Sequence, residues 1–305
     1  MLSDVIWRDY MNRIVKCAAA GIMALTVALS AAACSGTGSS SPGEQEKTIS
    51  YDSIPVNSRT KDKVGFQFDK PEAGDEIAVI TVKGYGTMKM RLFPDSAPKT
   101  VENFKALVNS GFYNGKTFYE AEKDVKILAG DPKEDKSANG QPIEDEFNAN
   151  LLNLSGAVSM YNEGSNTTAS RFFINTVSAE FFKSTTTRTS LRYSLDGYIK
   201  ALGEYEAEYK EKYGDEWEAY AAKDMPGSAA DPRKINDETF NLYLQHGGNI
   251  TYDGELAVYN KGYNVFGQIF EGYDIAEKIS NVAVDDSKKP TQDIVIEKIE
   301  IVKYN

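Results

Sequence analysis

Few residues in this chain could act as nucleophiles or bases. His246 is the only histidine, and the two cysteines, Cys17 and Cys34, lie near the N-terminus. A Ser-His or Cys-His nucleophile therefore requires His246, which stands before Gly247-Gly248 and reads as a polar residue at a helix end. A cysteine-based zinc site is excluded from the rest of the chain. Glu144, Asp145 and Glu146 form a run of carboxylates that could suggest acid chemistry or a metal, but a charged run of this kind is more simply a solvated turn. The most informative stretch carries no nucleophile. Residues 162–170, with Asn162, Gly164, Asn166, Thr167 and Ser170, form a polar loop between two short β-rich runs, 157–161 and 171–176. Such a loop suits holding backbone donors and acceptors against an extended peptide.

Composition narrows the classes of partner. The chain has 305 residues and a formal net charge of -11, so a phosphate backbone, held by clustered Lys and Arg, is not an expected partner. Hydrophobic residues make up 41%, an ordinary globular share, and tyrosine is plentiful. No cofactor and no metal is implied. By composition alone the chain is an exported soluble domain.

The elements that position the loop follow from periodicity. Residues 77–83 and 87–93 alternate around Gly84 and Gly86 and predict a hairpin. Pro94 and Pro98 then break the sheet. Ser96 can cap a helix whose apolar face carries Val101, Phe104, Leu107 and Val108, and which stops at Ser110-Gly111. Further on, Tyr198, Leu202, Tyr205, Tyr209, Tyr213, Trp217 and Tyr220 recur every three or four residues. They predict a helix with an aromatic stripe packed on the main domain. Residues 237–245 predict a second helix, ended by Gly247-Gly248. Ile294, Ile296, Ile299 and Ile301 close the chain as strand.

The stretch Ser159-Met160-Tyr161-Asn162-Glu163-Gly164-Ser165-Asn166-Thr167-Thr168-Ala169-Ser170-Arg171-Phe172-Phe173-Ile174 resembles the central motif of the cyclophilins, which are prolyl cis-trans isomerases. Its family form is Ser-Met-Ala-Asn-x-Gly-x-Asn-Thr-Asn-Gly-Ser-Gln-Phe-Phe-Ile, and ten positions match in register. Leu92-Phe93-Pro94-Asp95, Gly111-Phe112-Tyr113-Asn114-Gly115 and Val265-Phe266-Gly267 resemble other family segments. The resemblance covers residues 77–176 and 252–305, on either side of a helical insertion at about 178–251. It implies a closed eight-stranded antiparallel barrel with that insertion, and proline-containing segments as substrate. It also implies roles for individual residues. Phe173 is a wall of the proline pocket. Asn162 is a backbone clamp. Val125, Lys126, Leu128, Tyr161, Tyr252 and Tyr263 line the groove. Glu120 stands where the family carries its catalytic arginine, and Arg171 where it carries glutamine. We therefore expect Glu120 and Arg171 to face each other, with Arg171 offering a guanidinium from the neighbouring strand, or else to form an inert ion pair. The expected activity is a weak isomerase. The alternatives are a non-catalytic peptide-binding or chaperone module, and a surface lipoprotein that uses its aromatic helix.

The N-terminus reads as an address. A short basic region from Met11 precedes an Ala-rich apolar run, and Ser30-Ala31-Ala32-Ala33-Cys34 closes it. The run is short for a bilayer span, which needs about 20 residues. The layout is that of a secretory signal, and the cysteine after small residues resembles a bacterial lipoprotein signal. Residues 1–34 are therefore expected to be a signal with lipidated Cys34. Residues 35–74 follow as tether and extension, and 75–305 as the domain. The expected product is a monomer, lipid-anchored to the outer face of a bacterial cell membrane, whose clients are exported proteins.

Overall fold

The computed structural model describes residues 63–217, 220, 229–258 and 261–305, without the side chains of residues 200–205. The signal sequence, Cys34 and the tether up to residue 62 lie outside the described residues. Among the described residues, no helix is long and apolar enough to cross a membrane.

Eight strands close into an antiparallel barrel. They are β1 (Glu76–Val82), β2 (Gly86–Leu92), β3 (Thr117–Glu122), β4 (Lys126–Gly130), β5 (Ala157–Met160), β6 (Phe172–Asn175), β7 (Val265–Glu271) and β8 (Ile294–Lys303), in the order β1-β2-β7-β5-β6-β4-β3-β8. The alternation seen in the sequence is the pleat: Ala78, Ile80 and Val82 on β1 and Met88, Met90 and Leu92 on β2 are all buried in one core. Helix α1 (Pro98–Asn109) adds Phe104 and Leu107 to it. Phe104, Tyr113, Phe118 and Phe172 meet there as a cluster of rings, with centroids 5.4–6.4 Å from Phe172. Interior side chains fill a barrel of this size, so chemistry must happen on its outside.

Helix α1 is not capped by Ser96. Its N-cap is Ala97, which offers no side chain, and Pro98 takes the first turn. The exposed amides of that turn are met instead by Glu146, whose carboxylate accepts from Lys99 N at 3.0 Å and Thr100 N at 2.8 Å. A carboxylate at a helix N-terminus is favoured by the dipole. One member of the 144–146 acidic run is thus a capping group rather than part of a solvated turn.

The insertion builds a second core on the barrel's outer surface. Helices α2 (Ala179–Thr185), α3 (Arg188–Tyr213) and α4 (Asp237–His246) bring Phe182, Leu191, Phe240 and Tyr243 together with Leu152, Leu154 and Val177 of the barrel's loops. Gly247 and Gly248, at φ 78° and 116°, let the chain pass against the backbone of Val177 and Asn153. Any Cβ at either position would run into a carbonyl oxygen. The aromatic stripe of α3 does not behave as expected. Tyr209, Tyr213 and Tyr220 pack on one another, with centroids 5.4 and 4.1 Å apart, and Tyr220 is exposed. Among the described side chains of α3, Leu191 and Leu195 in its first turns are buried, while those of Leu202 and Tyr205 lie outside the described residues.

Packing also begins before residue 75. Val64 joins the second core, and Phe66 meets Phe93 edge-on at 5.3 Å. Buried Gln67 accepts from Leu152 N (2.9 Å) and donates to Leu152 O (3.0 Å) and to Gln268 Oε1 (2.8 Å). Nothing in the polar composition of this segment marked Gln67 as a structural residue.

Candidate active site

The residues expected to line the groove gather on the outer face of β3, β4, β5 and β6. On β4, Ile127 and Ala129 enter the core, so Lys126 and Leu128 point outward. The register pairs Leu128 with Phe173 and Lys126 with Asn175. On β3 a bulge at Tyr119 shifts the pairing, so that Phe118 faces Ala129 while Glu120 faces Leu128. A bulge of this kind re-aims the side chain that follows it. Glu120 is thereby set beside Lys126 on the same outer face.

Aromatic rings cover that face. Tyr252 and Tyr263 are placed against Phe173 of β6, edge-on, at 5.5 and 5.1 Å. Tyr161 stacks on Tyr263 at 6.0 Å. Phe173 is consequently fully buried, while Tyr161, Tyr252 and Tyr263 remain half-buried. The phenylalanine expected as a pocket wall is roofed by tyrosines, because rings at these positions find better packing on one another than in water. Burial raises the Tyr252 and Tyr263 phenols above their ordinary range, so both hydroxyls stay protonated donors.

Glu120 and Arg171 do not form an ion pair. Glu120 Oε1 lies 3.0 Å from Lys126 Nζ, and Glu122 Oε2 lies 3.5 Å from the same nitrogen. Glu122 also takes Lys288, at 2.6 Å. The Arg171 guanidinium is held elsewhere: Nε donates to Asp135 Oδ2 at 2.7 Å and Nη2 to Glu163 Oε1 at 2.8 Å. It lies over the Tyr161 ring at 4.5 Å. Two carboxylates supplied by loops outcompete one across the sheet. Burial opposes the charge on Arg171, but Glu163 and Asp135 outweigh it and raise its pKa further. Tyr119 stands near this guanidinium, and burial pushes its phenol up to about 12.

Asp135 does more than pair with Arg171. Its Oδ1 accepts from Ser170 N (2.9 Å), Ser170 Oγ (2.8 Å) and Arg171 N (3.2 Å), which fixes the end of the 162–170 loop. Asn166, at φ 59°, accepts from Asp145 N at 2.9 Å. Thr167 Oγ1 accepts from Glu163 N at 3.0 Å. The Asn162 side chain donates to Gly262 O at 2.9 Å. Among the described residues, its own backbone N–H and carbonyl make no hydrogen bond. The loop is thus held in shape with the Asn162 N–H and carbonyl left for a ligand. Val125, half-buried in the β3–β4 turn, is tied through its carbonyl to Thr176 N at 3.1 Å.

Beneath the tyrosines lies a buried polar joint. Asp253 Oδ1 accepts from Asn153 N (2.7 Å) and Asn153 Nδ2 (2.9 Å), and its Oδ2 accepts from the Tyr243 hydroxyl of α4. Asn153 Nδ2 also reaches Tyr252 O at 3.1 Å. The joint therefore links the insertion, the barrel and the groove. Sequence reading passed over Asp135, Asn153, Tyr243 and Asp253. Their partners lie 10 to 100 residues away, too far for local spacing to signal. A separate cavity of about 480 Å³, lined by Phe66, Arg91, Phe93 and Lys105 among others, contains none of the groove residues. His246 ends α4 and stacks on Phe68 at 3.9 Å, away from the groove residues.

Comparison with known proteins agrees with this geometry. The family model for "Cyclophilin type peptidyl-prolyl cis-trans isomerase/CLD" matches residues 77–200 and 204–301. A Staphylococcus saprophyticus protein named "Putative peptidyl-prolyl cis-trans isomerase" is 32% identical over 234 residues, 75% of this chain and 94% of its own length. A Staphylococcus aureus protein of the same name is 32% identical over 242 residues, covering 77% and 96%. Among solved structures, a Cryptosporidium parvum cyclophilin type peptidyl-prolyl cis-trans isomerase aligns at a TM-score of 0.45 with 22% identity, over 75% of this chain and 99% of that one. The same protein has also been crystallised in the presence of the dipeptide Ala-Pro. With the family model matching the barrel and the helices between β6 and β7, over residues 77–200 and 204–301, the chain belongs to the cyclophilin-type peptidyl-prolyl cis-trans isomerase family.

Proposed function

We propose that the chain is a prolyl cis-trans isomerase of reduced rate, acting as a monomer on proline-containing segments of exported proteins. The observation that carries this reading is the unpaired Asn162 N–H and carbonyl beside the Phe173–Tyr252–Tyr263 ring cluster. An extended peptide would pair with the former and lay its proline on the latter. The reaction needs no nucleophile. It needs the C–N resonance weakened, against a barrier of about 18–20 kcal/mol. Donors preorganised towards the pyramidal prolyl nitrogen accomplish this by binding the transition state better than the ground state. Two features lower the rate. The roofing of Phe173 obliges a substrate to displace or skirt the tyrosines, and Arg171 has Nε and Nη2 committed to Asp135 and Glu163. Arg171 then serves to hold the loop rather than to touch substrate.

The full chain is expected to accelerate cis-trans exchange of a proline tetrapeptide, more slowly than a family member with arginine at the place of Glu120. NMR exchange spectroscopy measures both. No acceleration, with the peptide still bound, would favour the second reading, a non-catalytic peptide-binding or chaperone module. The absence of a guanidinium at position 120 supports that alternative.

We place the protein on the outer face of a bacterial cell membrane, held by lipid on Cys34. The basic, apolar and small-residue order ahead of Cys34 supports this. Metabolic labelling with a fatty-acid analogue is expected to mark the wild type and not Cys34→Ala. Equal labelling of the two, or none of either, refutes the anchor.

A further inference from the structure

We propose that Lys126 is the catalytic cation of this groove, donating from its ammonium to the prolyl amide, with Glu120 as its positioning partner. The inference rests on the isomerase reading above and deepens it.

Two cations reach the groove, and their surroundings differ. Arg171 is fastened by Asp135 and Glu163, and its plane is laid on Tyr161. Lys126 stands on β4, outward, two residues from Leu128, whose register partner is Phe173. Its ammonium is therefore carried on the same face as the ring cluster. Its side chain is only 14% exposed, although a lysine on an outer strand face can ordinarily extend into water. Glu120 at 3.0 Å and Glu122 at 3.5 Å draw it down onto the sheet. Glu122 is shared with Lys288, which leaves Glu120 as the closer and less divided partner. An ammonium has three donors. Two carboxylates stand within ion-pair distance of it, and one of its donors is assigned here to the prolyl amide.

The electrostatics favour a permanently charged donor. Burial works against the charge, but the Glu120 and Glu122 carboxylates support it, and the Lys126 pKa is raised. A charge-assisted hydrogen bond in a partly desolvated groove is roughly twice as strong as a neutral one. The sequence thus carries an acid where the resemblance implies a catalytic arginine, and a cation on the adjoining strand at a position the resemblance puts in the groove. Bulged β3 and β4 bring the two side chains together, so the groove keeps one cation and gains a carboxylate that orients it. A merely structural ion pair and a catalytic cation make different predictions for turnover.

The test measures kcat and KM of the full chain for a proline tetrapeptide, with peptide affinity followed separately by NMR titration. Lys126→Met is expected to lower kcat at least tenfold while affinity changes by less than threefold. Lys126→Arg is expected to keep most of the turnover. The double variant Glu120→Arg/Lys126→Met moves the cation to β3 without leaving a bare carboxylate, and is expected to recover the activity that Lys126→Met loses. It also keeps the question open to measurement if Lys126→Met alone fails to fold. Wild-type kcat in Lys126→Met overturns the proposal. So does a double variant that folds and is no more active than a protein lacking any cation at 120 and 126 (Glu120→Gln/Lys126→Met). A wild type without any activity overturns the isomerase reading and this inference together. An active wild type with an unaffected Lys126→Met overturns this inference alone.

Discussion

Phe172→Ala is expected to destabilise the domain by about 3–5 kcal/mol, the usual range for truncating a buried phenylalanine. Phe172 is fully buried and its ring is met edge-on by Phe104 at 5.9 Å, Tyr113 at 5.4 Å and Phe118 at 6.4 Å. These rings come from α1, the loop after it, β3 and β6, so no single element can shift to fill the space. Part of the loss is transfer free energy and part is the cavity left behind. Because total stabilities are typically 5–15 kcal/mol, the variant is expected to lie near the edge of folding. Urea midpoints at constant slope measure the change. A loss under about 1 kcal/mol would mean that the barrel collapses around the gap, and the rigid ring cluster described above would be wrong. Phe173, its neighbour in sequence, points to the opposite face. Truncating it is a groove experiment rather than a core one.

Raising the pH from 5 to 8 is expected to loosen the joint between insertion and barrel, through Asp253. Burial pushes this carboxyl up to about 7 from an ordinary 3.8, against the pull of Tyr243 and Asn153. The folded state therefore favours the protonated acid more than the unfolded chain does. Its contribution is fully present below about pH 4 and is lost as pH rises through about 7. At about 1.4 kcal/mol per unit, a shift of this size is on the order of 4 kcal/mol. Asp253→Asn keeps an acceptor for Asn153 and removes the titration. Melting temperatures from pH 5 to 8 are expected to fall more steeply in the wild type than in Asp253→Asn. General repulsion from a net charge of -11 acts on both proteins and cancels in the difference. Parallel curves would show that the three donors keep Asp253 ionised throughout. Asn153 also reaches the Tyr252 carbonyl, so loss of the joint is expected to reach the groove as well.

The two variants separate two kinds of support. The core holds the barrel, on which β3 and β4 carry Glu120 and Lys126. The joint holds the segment that lays Tyr252 and Tyr263 over Phe173. A defect in the first should abolish folding and activity together. A defect in the second should change peptide binding while the barrel persists.

Much of this was readable in the chain itself, wherever a residue's neighbours are close in sequence. Period-two alternation in residues 77–93 and 294–301 marked strands because one face of each is buried. The apolar spacing of Val101, Phe104, Leu107 and Val108 marked α1. The motif from Ser159 to Ile174 marked the groove through its resemblance to the cyclophilins. The resemblance also implied that Glu120 stands where the family carries an arginine. It did not show where Lys126 and Arg171 would send their charges. That depended on a bulge at Tyr119, on Asp135 arriving from a separate loop, and on Glu163 folding back. Capping of α1 by Glu146, burial of Gln67 and the Asp253 joint were equally invisible. Each pairs groups far apart along the chain, and an ion or a buried polar group takes whichever partner the closed barrel brings within about 3 Å.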